Sequence, residues 1–254
     1  MRAVLVWQLI FALLLIGLWE GLGRTGAVDA SLLPPFSRVA LILWEFLQDP
    51  RFLADLGLTA LEVTVAFAIT APIAVATGFL LGERLHLAKL FNPVLYLVLA
   101  LPQSIFLPIF ILAFGTDFLQ KVLFGITHAY FVIVLNAFAA VRSVPAPLVL
   151  AARAFGATQA QVYTRIYLPA MLPLVLTGLR LGMIFCITGV LLAEMYASRQ
   201  GIGRLIFGWG EAYQVPELLA GVLLISALTI LVNESMRLME VRADRRYGAS
   251  RTAD

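Results

Sequence analysis

The stretch PAPLVLAARAFGATQAQVYTRIYLPAMLP, residues 145–173, interrupts an otherwise very apolar chain. It carries two arginines and two glutamines between two long hydrophobic runs, so we expect it to lie outside the bilayer. Its residues are typical of helix ends rather than of a loop. Pro147 suits the first position of a helix, and Gly156 can end that helix in a left-handed conformation. The stretch therefore predicts a short helix before the glycine.

A second helix is predicted directly after the glycine. Thr158 begins the pattern T-x-x-Q with Gln161, a capping box that starts a helix. Pro169 and Pro173 are expected to limit this helix before the chain re-enters the membrane. Two short helices joined at a glycine, on the face of a membrane protein, indicate a docking element.

The composition of the chain indicates an integral membrane protein. Of the 254 residues, 61% are hydrophobic and 13% are charged, and the mean hydropathy is +0.95. A soluble domain of this length could not cover so much apolar surface with so few charges. The net charge of +3 is what basic cytoplasmic loops give a membrane protein, and it does not indicate nucleic-acid binding. The single Cys186 lies in an apolar run and is predicted to be a buried core residue.

Six apolar runs are long enough to cross about 30 Å of hydrocarbon. They cover residues 4–23, 58–81, 93–114, 122–141, 174–196 and 218–238. The first run is predicted to be an uncleaved helix rather than a signal peptide, because it is long and only Arg2 flanks it. Ser37 is predicted to cap a short amphipathic helix that lies along the interface. The chain is thus predicted to be one all-α transmembrane domain, residues 1–254, with a polar, mobile tail at 241–254.

The basic residues predict the orientation of the chain. With both ends inside, the inner loops and tails hold Arg2, Arg84, Lys89, Arg142, Arg153, Arg165, Arg242, Arg245, Arg246 and Arg251. The outer loops then hold Arg24, Arg38, Arg51, Lys121, Arg199 and Arg204. This excess favours cytoplasmic termini and a cytoplasmic 145–173 stretch.

Motifs for chemistry within the chain are missing from the sequence. It contains no G-x-x-x-x-G-K-[ST] phosphate loop, no H-E-x-x-H or cysteine cluster for a metal, and no G-x-S-x-G nucleophile elbow. The chain is therefore not expected to be an enzyme. Energy for transport would come from an ion gradient or from a separate subunit.

The 145–173 stretch resembles the cytoplasmic signature of the permeases of ABC importers. That signature reads E-A-A, three residues, G, nine residues, I, one residue, L-P. The matching residues here are Ala151, Ala152, Gly156, Ile166, Leu168 and Pro169, while Leu150 stands at the position of the family's glutamate. The resemblance implies that these residues couple the chain to a cytoplasmic ATPase. Leu150 implies that the contact depends on shape and apolar surface.

The same resemblance implies the rest of the assembly. We expect a type I importer permease with a coupling helix between spans 4 and 5, paired with a second permease, most simply a copy of itself. Two ATPase subunits would bind ATP and Mg, so no cofactor is expected in this chain. A periplasmic or lipid-anchored binding protein would deliver the solute to a permease in the bacterial inner membrane, surrounded by lipid.

Further motifs resemble the branch of this family that imports nitrate, sulfonates and taurine. They are LTGLRLG at 176–182, the pair Ala193-Glu194, and Gly-Ile-Gly at 201–203. Members of this branch also carry pyrimidine precursors and aromatic acids, so these substrates are alternatives. An ion-coupled secondary transporter or channel is the alternative of another class. It would need intramembrane ionisable residues or an internal repeat, and no convincing repeat is found.

Polar residues within the spans are candidates for the wall of a translocation pathway. They are Gln103, Ser104, Asn136, Arg180, Thr188 and Glu194. The prolines of the third run predict a kinked helix around the first two of these residues. Arg180 could attract an anionic solute, could snorkel to the interface or could pair with another chain. Glu194 could belong to an outer gate or could anchor its span at the interface. Interhelical hydrogen bonds use the same residue types.

Overall fold

The computed structural model of the protein describes residues 2–26, 28–29 and 31–247, and the regular structure within these ranges is entirely helical. The all-α prediction is confirmed. The α-helices of the described chain are α1 Arg2–Thr25, α2 Phe36–Phe46, α3 Pro50–Glu83, α4 Leu85–Ala100, α5 Leu107–Phe114, α6 Phe118–Arg142, α7 Ala146–Ala154, α8 Gln159–Val162, α9 Leu168–Ala197, α10 Ile202–Glu211 and α11 Val215–Tyr247.

Five helical stretches of the described chain are long and apolar enough to cross a membrane. They are Val6–Thr25, Pro50–Glu83, Phe118–Arg142, Gln159–Tyr196 and Val215–Arg246. A sixth span is complete if α4 and α5 are counted together. The helices extend beyond the apolar runs read from the sequence, because polar first and last turns continue the backbone hydrogen bonding outside the hydrocarbon.

The third predicted span is broken rather than kinked. The axis turns by 84° between His86–Ala100 and Gln103–Phe114. Leu101 is extended, with φ −76° and ψ 136°, because the ring of the following Pro102 excludes the α conformation. A 3₁₀ turn, Gln103–Phe106, then leads into α5. The kink predicted for the 93–114 run is therefore a complete break in the helix.

Residues 241–247, which were predicted to belong to a mobile tail, are helical. Helix α11 continues through residues 241–247, and its last turn carries Arg245 and Arg246. Cations in a last turn interact favourably with the helix dipole. Residues 248–254 of the predicted tail lie outside the described residues.

The described chain divides into two compact units. The first comprises the residues up to 59 together with 194–228, and the second comprises 60–193 and the residues from 229 onward. In the first unit, Phe46 stacks on Phe52 at a centroid distance of 4.5 Å and on Trp209 at 4.9 Å. This aromatic stack joins α2, α3 and α10.

Ser37 does not cap α2 as predicted. The helix begins at Phe36 after an extended Pro35, so Pro35 and not Ser37 is the N-cap residue, and it makes no side-chain capping hydrogen bond. The Ser37 N–H and hydroxyl both donate to the carboxylate of Glu20 on α1, each at 2.9 Å. The hydroxyl is therefore already used in a contact between α1 and α2.

In the second unit, α3, α6 and α9 pack through small residues. A Cβ on Gly78 would lie 2.5 Å from the carbonyl oxygen of Val134, and a Cβ on Gly125 would lie 2.7 Å from Val190. Such close approach is how membrane helices gain packing energy without a hydrophobic driving force. The core contains Ala66, Ala74, Val122, Ala129, Ile133, Val134 and Cys186. The prediction of a buried cysteine is confirmed.

Candidate functional site

The first helix of the 145–173 stretch, α7, is short and mostly exposed. Extended Pro145 precedes it, and Pro147 lies in its first turn, where its missing N–H leaves no helix hydrogen bond unmade. Among its residues only Val149 is buried. Leu150 is 65% exposed and Phe155, just after the helix, is 92% exposed. An isolated helix with an unburied apolar face is typical of a surface covered by a partner.

The turn after α7 has the geometry predicted for Gly156. Its φ is +78°, and its N–H donates to the carbonyl of Arg153 at 3.0 Å. The N–H of Ala157 donates to the carbonyl of Ala152, also at 3.0 Å. These two bonds form a Schellman motif. An added Cβ would meet no atom within 4 Å, so the backbone conformation, not crowding, requires glycine.

The start of α8 has the predicted capping box. The Gln161 N–H donates to the Thr158 hydroxyl at 3.4 Å, and the Thr158 N–H donates to the Gln161 side-chain oxygen at 2.8 Å. The predicted order is therefore present: α7 with Ala151 and Ala152, then the turn at Gly156, then α8. We call residues 145–169 the coupling segment.

The prediction that Pro169 and Pro173 limit the second helix is wrong. α8 continues through a π-helical turn, Tyr163–Tyr167, directly into α9. In the wider turn, the Leu168 N–H donates to the carbonyl of Tyr163, five residues earlier. Pro169 falls in the first turn of α9, where the π turn has already shifted the hydrogen-bond register. Ile166, Leu168 and Pro169 therefore lie within one helical rod rather than at a helix end.

A hydrogen-bonded contact missed by the sequence reasoning joins this rod to the end of α3. The Tyr163 hydroxyl donates to the Glu83 carboxylate and accepts from the Gln159 amide at 2.9 Å. The ring of Phe79 lies edge-on to Tyr163 at 5.7 Å and to Tyr167 at 6.3 Å. The coupling segment is thus linked to α3 as well as to α9.

Arg180 is neutralised inside the chain. Its Nε donates to Glu240 Oε2 at 2.8 Å, and its Nη1 donates to Asn233 Oδ1 at 3.3 Å. The Thr177 hydroxyl donates to the other oxygen of Glu240 at 2.6 Å. The structure therefore shows an ion pair between α9 and α11, which was not among the alternatives weighed for Arg180 from the sequence. Glu240 was missed because it falls just beyond the apolar run that ends at 238.

Glu194 is fully buried, so the interpretation as an interfacial anchor is wrong. Its carboxylate accepts from the Thr59 hydroxyl at 2.7 Å. The backbone N–H groups of 201–203 donate, in order, to Asp55 at 2.6 Å, Thr59 at 3.0 Å and Glu194 at 2.7 Å. The positive end of the α10 helix dipole also stabilises a carboxylate at the start of that helix. We call Asp55, Thr59 and Glu194 the α10 cap.

The remaining pathway candidates are not joined to one another by any hydrogen bond among the described residues. The Asn136 amide donates to the Val132 carbonyl at 2.8 Å, and the Thr188 hydroxyl donates to the Ile184 carbonyl at 3.0 Å. Gln103 and Ser104 lie in the 3₁₀ turn between α4 and α5. The structure thus satisfies two of these side chains within their own helices.

A second ion pair, this one fully buried, escaped the sequence reasoning. Lys121 Nζ lies 2.6 Å from Glu62 Oε1, with side-chain exposures of 4% and 0%. The charge count had placed Lys121 in an outer loop, whereas α6 already begins at Phe118. Taking this lysine out of the outer loops leaves the orientation favoured by the basic residues unchanged.

Comparisons with known proteins place the chain among transport permeases. Residues 68–248 match the family described as binding-protein-dependent transport system inner membrane component. The chain is 27% identical over 232 residues to a putative aliphatic sulfonates transport permease of Bacillus subtilis, covering 91% of this chain and 84% of the relative. It is 24% identical over 239 residues to the taurine transport system permease of Escherichia coli, covering 92% and 87%.

A more distant relative and a solved structure extend these comparisons. The chain is 23% identical over 231 residues to a formylaminopyrimidine transport permease of Halalkalibacterium halodurans, covering 91% and 92% of the two chains. An inward-facing structure of the MetNI methionine ABC transporter matches with a TM-score of 0.59 at 17% identity, covering 82% of this chain and 97% of that one. The structural match supports the fold of a type I importer permease.

Proposed function

Because the chain belongs to the inner membrane components of binding-protein-dependent transport systems, we propose that it forms the translocation path of an ATP-driven importer for a small anionic solute. The protein is a permease rather than an enzyme, and a separate ATPase subunit supplies the energy. The observation that carries the proposal is an exposed helix, α7, joined through the Gly156 turn to a helix that runs unbroken from Gln159 to Tyr196 and is long and apolar enough to span the membrane.

The coupling segment has the properties that docking into an ATPase would need. The exposed Leu148, Leu150 and Phe155 offer apolar contact area, while the small Ala151 and Ala152 let a partner surface approach the backbone. The helix from Gln159 to Tyr196 would carry a displacement of this segment across the bilayer as a rod. ATP and Mg would be bound by the ATPase subunits, and closure of these subunits would draw two coupling segments together.

The proposed assembly pairs this chain with a second copy of itself. Both termini and the coupling segment lie in the cytoplasm, as the distribution of basic residues favours. A periplasmic or lipid-anchored binding protein delivers the solute to the opposite face. The alternative of an ion-coupled secondary transporter or channel is not retained, because membership of the permease family assigns the energy source to ATP.

We assign a sulfonate, taurine or nitrate as the solute on the strength of the relatives that carry aliphatic sulfonates and taurine. Arg180 does not carry this assignment, since Glu240 compensates its charge. A neutral pyrimidine precursor is a second candidate, supported by the formylaminopyrimidine permease, which matches over 91% of this chain.

The test is uptake by the reconstituted assembly. The chain is co-expressed with the ATPase and the solute-binding protein of the proposed assembly, purified, and placed in liposomes. Uptake of labelled taurine, an alkanesulfonate, nitrate and formylaminopyrimidine is compared with and without enclosed ATP. We expect uptake of one of the anions that requires both ATP and the binding protein. Failure to recover a complex with the ATPase, or uptake that persists without ATP, would refute the proposal.

A further inference from the structure

The turn between α10 and α11 holds a tyrosine in a conformation that normally selects glycine. Tyr213 has φ +56° and is the only non-glycine residue of the described chain with positive φ. Its N–H donates to the Gly210 carbonyl at 3.2 Å, and the Gln214 N–H donates to the Trp209 carbonyl at 2.8 Å. This is the Schellman motif that Gly156 makes after α7. Here a side chain larger than hydrogen takes the strained position.

Contacts within the chain do not compensate for this strain. The Tyr213 side chain is 88% exposed. No described residue forms a hydrogen bond with the Tyr213 hydroxyl, and no described aromatic ring stacks on its ring. A strained backbone that projects a large aromatic side chain into solvent points to a function for that side chain. Tyrosine is also among the residues that contribute most to binding at protein interfaces.

The helix before this turn leaves its backbone open to close approach. Gly208 and Gly210 are exposed, and an added Cβ on either would meet no atom within 4 Å. Glycine weakens a helix relative to alanine, and packing within the chain gives no reason for these two. By contrast, a Cβ on Gly221 would lie 2.7 Å from Trp209. The open glycines lie within five residues of Tyr213.

The charge around the turn indicates what kind of partner fits. The stack of Phe46 on Trp209 places the α2–α3 turn beside α10. The charged residues in these two turns or within three residues of them are Glu45, Asp49, Arg51, Glu211 and Glu217. The nearby Arg204 pairs with Asp55 at 3.8 Å. The excess of carboxylates makes this surface acidic. It would repel anionic lipid headgroups and attract a protein surface that carries lysine and arginine.

We propose that Gly208, Gly210, Glu211 and Tyr213 form a docking patch for the soluble solute-binding protein, with the Tyr213 ring inserted into a pocket on a basic face of that protein. The inference rests on the proposed function, because a single span separates the cytoplasmic coupling segment from α10 along the chain. A cytoplasmic coupling segment therefore puts α10 and the docking patch on the outer face, where the binding protein arrives.

The experiment titrates the binding protein against the ATPase activity of the permease–ATPase complex in lipid nanodiscs. Tyr213→Gly removes the ring and relieves the strained turn, whereas Tyr213→Phe keeps the ring. We expect Tyr213→Gly to raise the half-maximal concentration of binding protein by about tenfold or more. Its basal ATPase activity should not change, and its unfolding temperature should equal or exceed that of the wild type. Tyr213→Phe should lie within about threefold of the wild type.

Salt and crosslinking distinguish the partner. Raising the ionic strength from about 50 mM to about 300 mM should weaken stimulation several-fold, as expected for an acidic patch facing a basic one. The inference is overturned if Tyr213→Gly titrates like the wild type, or if salt has no effect. It is also overturned if Tyr213→Cys oxidises to a disulfide between two permease copies, which would assign the turn to the permease pair. A wild-type complex that the binding protein never stimulates would refute the proposed function as well.

Discussion

Replacement of Gly156 by valine tests the role of the coupling segment most directly. The structure separates two reasons for a glycine, since φ is +78° but an added Cβ would meet no atom within 4 Å. Steric crowding therefore contributes nothing, and the whole penalty is conformational. A side chain in the left-handed region costs roughly 1–2 kcal/mol, and β-branching resists it further.

This penalty falls on a local equilibrium. A cost of one or two kcal/mol shifts the ratio of formed to open turn by a factor of about 5–30. Among the described residues, two backbone hydrogen bonds hold the turn, from Gly156 and Ala157, and an exposed side-chain contact from Arg153 to Gln159 at 3.5 Å spans it. The two coupling helices should therefore separate in Gly156→Val while the membrane-spanning helices remain folded. We expect normal insertion, with recovery of the ATPase on the purified permease reduced about fivefold or more.

The assay is co-purification with the ATPase, followed by ATP-dependent uptake in liposomes. The matched control is Gly57→Val, because Gly57 lies in α3, is exposed, and has no atom within 4 Å of an added Cβ. It makes the same chemical change without a positive φ. Gly156→Asn is a second control, since asparagine tolerates the left-handed conformation. If Gly156→Val assembles and transports like Gly57→Val, the reasoning about this turn is wrong.

Three further substitutions test the polar contacts. Arg180→Gln leaves Glu240 without its cation and should lower the free energy of unfolding by about 1–3 kcal/mol in a thermal unfolding assay. The double variant, Arg180→Gln with Glu240→Gln, should recover part of this loss in the same assay. Glu194→Gln places an amide against donor groups and should lower the free energy of unfolding by about 2–3 kcal/mol in the same assay. The control Glu211→Gln, at the exposed end of α10, should show no such loss. Leu150→Glu should leave stability within about 0.5 kcal/mol, because the side chain is exposed and Arg153 lies three residues on, and should lower ATPase co-purification, because Leu150 is part of the apolar contact area.

The parts of the coupling segment that sequence reasoning predicted are those decided by local chemistry. Gly156 needs only its own φ, and the Thr158–Gln161 box needs only four consecutive residues. Proline is also a local signal, but its consequence was not local. Pro102 breaks the third span at the residue before it. Pro169 does not break its helix, because a π turn precedes it, and helix propensities do not predict such a turn.

The contacts that sequence reasoning missed join residues far apart in the chain. Thr59 and Glu194 are separated by 135 residues. They accept hydrogen bonds from N–H groups of a helix that begins after Glu194. Hydropathy placed Glu194 near a span end and therefore suggested the interface. The side chain is buried instead because the first turn of α10 supplies donors that replace water.

Electroneutrality within the hydrocarbon would have identified two other missed contacts, both of them ion pairs. A cation in or beside an apolar run is costly unless an anion neutralises it, so each must find a carboxylate on another helix. Lys121 borders the predicted fourth span and Glu62 lies inside the predicted second, and together they form a buried pair. Arg180 finds Glu240 in the same way. A lone charge in a span is therefore first a reason to search for its partner. A role in binding the solute then requires this pair to open, which makes the paired acid as important to test as the cation.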